Sequence, residues 1–152
     1  MKKSPRFSPK CSGCEVADVF YEAWEALRPQ VQDALSKITY TSVFFTGHDL
    51  GGAIAAIATY DMTANHGAPL GRSYSFGQPR VGNKAFAAEL NKLQFFRVTH
   101  HTDSVVHVPP HDKVRVVARV CVCVCVCVCE CVRAGACAGA CLCLCVCLCV
   151  CV

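Results

Sequence analysis

The chain has 152 residues, of which 53% are hydrophobic and 15 are cysteine, and a formal net charge of +4. Thirteen of those cysteines lie in the last 34 residues, so the averages mix an ordinary body with a tail of another composition. That split excludes a disulfide-rich miniprotein, whose cysteines would be spread through the fold, and the mixed charge signs leave no basic face for nucleic acid.

Residues 1–10 hold four basic side chains with no apolar run behind them, and read as an unstructured N-terminus without a secretory signal. Residues 16–38 predict a helix, because Phe20, Trp24, Leu27, Val31, Leu35 and Ile38 recur three or four apart. Pro29 should kink that helix or start a new turn. Residues 40–46 form a β-branched and aromatic run, apolar on both parities near its end, which predicts a strand buried on both faces. Residues 47–52 read as a turn and 53–63 as a small-residue helix. A second strand over 72–76 and a helix over 84–93, capped by Asn83, come next. A third strand over 95–99 leads into a loop rich in His and Pro. Strand, helix, strand, helix, strand implies right-handed crossovers and a parallel sheet.

Gly47-His48-Asp49-Leu50-Gly51 has the G-x-S-x-G spacing of a nucleophile elbow, with aspartate at its centre. The spacing has a steric cause: the central residue occupies a strained strand-to-helix turn, and the glycines let the chains pass without a Cβ clash. The following helix would aim free N–H groups at the centre, and the backbone N–H of Leu50 would face a developing oxyanion. The bland alternative is a plain glycine-rich turn with Asp49 as helix N-cap. Asp103, just after the third strand, would lie at the sheet edge where the elbow opens, placed to orient an imidazole. Its bland alternative is a solvated loop carboxylate.

Four ordered blocks, CSGCEVADVFYEAW from Cys11, VFFTGHDLGGAIA from Val43, YSFGQPRVGNKAFA from Tyr74 and FRVTHHTDSVVHVPP from Phe96, resemble the filamentous-fungal class 3 lipases. The resemblance implies an α/β fold: an incomplete α/β-hydrolase core with a mostly parallel sheet over residues 11–113, followed by a low-complexity Cys/Val tail over 114–152. It implies ester hydrolysis on lipid, Asp49 in the nucleophile's place where Ser is expected, Asp103 as triad acid, a Leu50 oxyanion donor and a Cys11–Cys14 disulfide. It also implies a lipid ester or lipid surface as partner, no cofactor, and secretion. No specific protein partner follows.

Read on their own, Cys11 and Cys14 lack the second pair a zinc site needs, and no strand precedes them as in a redox motif. A local disulfide suits an exported protein. His100, His101, His107 and His111 surround Asp103 in sequence, but their irregular spacing predicts no metal site.

Three departures from the lipase pattern bear on activity. An ionised Asp49 has no proton for a base to remove and repels the oxyanion it would create. An aspartate nucleophile suits displacement at an alkyl carbon, as in epoxide hydrolases and dehalogenases, whose ester intermediate needs a histidine-activated water. The triad histidine expected after Pro109-Pro110 is not identified, because His111 comes too soon and lacks the pattern's context. Ala17 and Val19 stand where His and Gly are usual, and upstream strands of the family are expected to be missing, leaving a sheet edge open. The expectation is an inactive fragment, with an Asp-nucleophile hydrolase or a non-catalytic lipid-binding remnant as alternatives.

In the tail, every odd position from Arg119 onward is Cys, Arg or Gly, and every even position from Ala118 is Val, Ala, Leu or Glu. A (TG)n tract reads Cys-Val, and single base changes give each of the other residues, so the tail reads as a translated dinucleotide repeat. Residues 134–152 are uncharged and long enough for a tail anchor, although their composition favours strand. On a strand the cysteines would share one face, and a thiolate cluster there would need the opposite Val/Leu face buried.

Overall fold

The computed structural model describes residues 3–4, 7–108, 121–130 and 142–151. Two short strands open the chain, β1 (Lys3–Ser4) and β2 (Val16–Ala17), paired antiparallel with Lys3 opposite Ala17. Lys3–Ser4 thus form a paired strand within the segment expected to be unstructured. Phe7 is buried among Tyr21, Tyr60 and Phe86, with ring centroids 5.7, 5.3 and 5.2 Å away. One aromatic side chain in that box anchors a polar segment whose composition alone says coil.

Helix α1 (Asp18–Ser36) buries Phe20, Trp24, Leu27, Val31 and Leu35, the predicted stripe, and runs on through Pro29 as one element. An interior proline costs about 3 kcal/mol. Burial of five large side chains contributes about 1.5–3 kcal/mol each. The apolar face outweighs the proline, and no new helix starts there.

Strand β3 (Ser42–His48) follows, with Val43 and Phe45 fully buried and Phe44 and Thr46 only half-buried. The expected burial on both faces is thus met on one face. Helix α2 (Leu50–Tyr60) is buried from Gly51 to Tyr60 and passes into a π-helical turn, Asp61–Asn65. Its small residues permit this depth: a β-carbon on Gly52 would stand 3.1 Å from Cβ of Ser75. Asp61, also buried, accepts from Trp24 Nε1 at 2.7 Å and Asn65 Nδ2 at 2.6 Å, with Arg28 at 3.4 Å. This carboxylate ties the end of α2 to the middle of α1.

Strand β4 (Ser73–Phe76), helix α3 (Lys84–Leu90) and strand β5 (Phe95–Val98) complete the body. The Asn83 side chain accepts from the Phe86 N–H at 3.0 Å, the expected N-cap. β3, β4 and β5 are parallel neighbours, with Gly47 opposite Ser75 and Ser75 opposite Arg97. The α/β reading holds for this body.

The free edge of β3 is occupied. Strand β6 (Cys121–Glu130) pairs antiparallel with it, and strand β7 (Leu142–Cys151) pairs antiparallel with β6, giving the order β5-β4-β3-β6-β7. The open edge expected of the sheet is therefore covered by the tail. Among the described residues no helix is long and apolar enough to cross a membrane, and within the uncharged stretch considered as an anchor, Leu142–Cys151 is strand.

Candidate functional site

The turn from β3 into α2 has the backbone that its glycine spacing predicts. Asp49 has φ 52° and ψ −123°, and is the one non-glycine residue with positive φ among the described residues. A β-carbon on Gly47 would stand 2.3 Å from the Gly51 carbonyl oxygen, so no side chain fits there. Asp49 is the residue before the first turn of α2, yet its side chain makes no capping hydrogen bond. The plain N-cap reading accounts neither for the positive φ nor for the uncommitted carboxylate. Leu50 begins α2, where first-turn N–H groups have no intrahelical acceptor.

Three strand ends are stitched together beside this turn. The Asp49 N–H donates to the Phe76 carbonyl at 2.9 Å, and the Gly77 N–H donates to the Val98 carbonyl at 3.0 Å. Beyond β5 the chain folds back and sets Asp103 over Gly77, whose φ is 57°. A β-carbon on Gly77 would stand 3.0 Å from Asp103 Oδ2 and 3.5 Å from His48 Nε2. Asp103 and His48 thus close on one small space next to the elbow. The other carboxylate oxygen of Asp103 accepts from the Val105 N–H at 2.9 Å.

Two contributors escaped the sequence reading. His48 is exposed and faces the space shared with Asp103. Its signal was its position, next to the elbow's central residue. Arg97, a lone charge in the aromatic strand β5, bonds the Gln78 carbonyl through Nε at 3.2 Å and the Val106 carbonyl at 2.8 Å. It fastens the Asp103 loop to the turn after β4. Burial lowers the Arg97 pKa from its ordinary value, Arg80 adds to that, and Asp103 opposes it.

Cys11 and Cys14 are disulfide-bonded, both buried, with α-carbons 5.5 Å apart. They flank Gly13, which packs against the loop that starts α3: Asn83 Nδ2 donates to the Gly13 carbonyl at 2.8 Å. Among the described residues no three of His, Cys, Asp and Glu converge as metal ligands. His111 lies outside the described residues.

On the side of the sheet away from α1 and α2, Tyr74, Phe76, Phe96 and Val98 are exposed, and Tyr74 stacks on Phe96 with centroids 5.3 Å apart. Next to them lies an open hollow of about 490 Å³, bordered by Ser42, Phe44, Thr46 and Arg72.

The sequence pattern of the class 3 lipases matches residues 1–113. A secreted mono- and diacylglycerol lipase of Fusarium solani is 37% identical over 105 residues, covering 65% of this chain and 31% of that protein. The crystal structure of a lipase from Rhizopus microsporus var. chinensis superimposes with a TM-score of 0.61 at 32% identity, over 72% of this chain and 41% of the other. A triacylglycerol lipase whose catalytic centre is a serine protease triad superimposes with a TM-score of 0.59 at 29% identity, over 72% of this chain and 44% of the other. The chain thus spans between about a third and under half of the length of these proteins. With an elbow, a three-stranded parallel core and a family match over residues 1–113, the chain belongs to the class 3 lipases.

Proposed function

We propose that this chain is a lipase-fold domain that keeps the framework of the hydrolase site but does not hydrolyse esters. The observation that carries the reading is Asp49, which holds the strained elbow conformation with its carboxylate free of the helix cap. The related triacylglycerol lipase uses a serine protease triad. A serine nucleophile works because a neutral imidazole removes its proton during attack. A carboxylate offers no such proton, and its charge opposes the oxyanion that the Leu50 N–H would otherwise stabilise. Asp103 takes the place of the triad acid. Residues 11–113 are the lipase-like unit and 114–152 a separate low-complexity segment, a division supported by the family match ending at residue 113. Its partner is a lipid ester or lipid surface, which the exposed aromatic side of the sheet suits as a contact. Secretion follows the named role of its relatives.

A second reading is favoured by one contact. His48 and Asp103 converge on Gly77, beside Asp49. An aspartate nucleophile can displace a leaving group from an alkyl carbon, and a histidine held by an acid can then activate water against the resulting ester. Turnover of p-nitrophenyl butyrate and of styrene oxide by purified protein tests both. No turnover of either supports the silent site. Epoxide opening that is lost in Asp49→Asn supports the second reading, and ester turnover lost in Asp103→Ala overturns the first.

A further inference from the structure

We propose that the hollow between α3 and β5 binds a medium-chain alkyl carboxylate, its head held by Arg80 and Arg97 and its chain lying on the apolar side chains beside them. The hollow has a volume of about 250 Å³. It lies on the sheet face opposite the exposed aromatics, because Phe95 and Arg97 alternate along β5 with Phe96 and Val98.

Val81, Phe86, Leu90 and Phe95 give the hollow an apolar lining; the first two are buried and the last two half-buried. Phe86 and Leu90 are four apart on α3 and so share a face, and the Asn83 cap fixes the start of that helix. An apolar wall with a few polar groups at one place is the usual make-up of a small-molecule site.

The charged part carries one sign. Arg80 and Arg97 border the hollow, and among the described residues no acidic side chain does. Arg97 gives its Nε and Nη2 to the carbonyls of Gln78 and Val106, which are neutral acceptors and do not cancel its charge. Burial, then the neighbouring Arg80, act against the Arg97 cation, and Asp103 offsets them only in part. A bound anion supplies the missing counter-charge. Asn91, exposed in the same lining, adds an amide donor.

Size sets the tail. A dry cavity of about 150 Å³ holds benzene, so 250 Å³ has room for a chain of roughly eight carbons with its carboxylate. The two halves select together. An inorganic anion leaves the apolar lining wet, and an alcohol of the same length leaves the guanidinium pair without its anion. Arg97 also holds the Val106 carbonyl, so the ligand is coupled to the loop that carries Asp103. The inference is independent of what Asp49 does.

Calorimetric titration of the full chain with octanoate, kept below its micelle concentration, is expected to give one site per chain. Octanol, butyrate and inorganic phosphate each remove one half of the ligand, and each should bind at least about tenfold more weakly. Octanol binding as tightly as octanoate would show that the charge pair contributes nothing. Butyrate or phosphate binding as tightly would show the same of the lining. Either result overturns the proposal, as does no octanoate binding at millimolar ligand. Arg80→Gln should weaken octanoate about tenfold or more, and Leu90→Trp, which fills the hollow, should abolish binding. Unchanged binding in both variants would place the ligand elsewhere and contradict the assignment. Amide exchange on the parent locates the ligand without any variant: octanoate should slow exchange over residues 86–91 and 95–108. Protection confined to other segments would overturn the proposal.

Discussion

The Gly47 α-carbon and the Gly51 carbonyl oxygen approach so closely that a β-carbon on Gly47 would stand 2.3 Å from that oxygen. The contacting atom is backbone at the start of a buried helix, so it cannot swing aside. Gly47→Ala should therefore cost about 3 kcal/mol or more, at the upper end of overpacking effects. Urea unfolding of the variant against the parent checks this. A loss below about 1 kcal/mol would show that the turn relaxes.

Asp49 should respond in the opposite direction. A non-glycine residue at φ 52° and ψ −123° stores strain on the order of 1–3 kcal/mol, which glycine removes. Asp49→Gly is expected to raise the urea midpoint, less the entropy glycine costs in the unfolded chain. Asp49→Ala keeps the strain and should give no such gain, so comparing the two separates strain from charge.

Trp24 and Asp61 make a further test, remote from the elbow. Their hydrogen bond, 2.7 Å long, is buried and joins α1 to the end of α2. Asp61→Ala leaves the Trp24 and Asn65 donors without their shared partner and takes from Arg28 one of two carboxylates, Glu25 remaining at 3.6 Å, which at roughly 1–3 kcal/mol for each orphaned donor predicts a loss of about 3–5 kcal/mol. Trp24→Phe keeps most of the packing, deletes only the donor and should cost about 1–3 kcal/mol. Thermal unfolding by circular dichroism ranks the two. The reverse order would mean that packing, not the carboxylate, holds the helices together.

Much of this was readable from the residues. The stripe of α1, the Asn83 cap and the elbow each have a local cause: a period, a side chain that caps its own helix, and a glycine spacing forced by chain crossing. What the sequence hid depends on distant partners. Phe7 looks like part of a polar tail until Tyr21, Tyr60 and Phe86 gather around it. The half-exposure of Phe44 follows from which side of the sheet the helices cover, which alternation cannot show. His48, Gly77 and Asp103 meet because three strands end at the same edge, and no window of sequence contains all three. The pairing of β6 with β3 was equally hidden, because a uniform repeat carries no marker of register.

Arg97 offers a check on the loop that carries Asp103. Its guanidinium joins the Gln78 and Val106 carbonyls, so Arg97→Met keeps the apolar stem and deletes the clamp. Faster amide exchange over residues 100–108, with little change in α2, is the expected pattern. Uniform exchange across both segments would make Arg97 a general stability residue.

The central claim, that the site is a lipase framework silenced by its own nucleophile position, is tested most directly by ester turnover. Purified chain and its Asp103→Ala variant are assayed side by side with p-nitrophenyl butyrate at neutral pH. The account predicts that both release nitrophenol at the rate of the protein-free blank. Turnover by the parent that disappears in the variant would contradict it, because that would show Asp103 supporting hydrolysis with aspartate in the elbow.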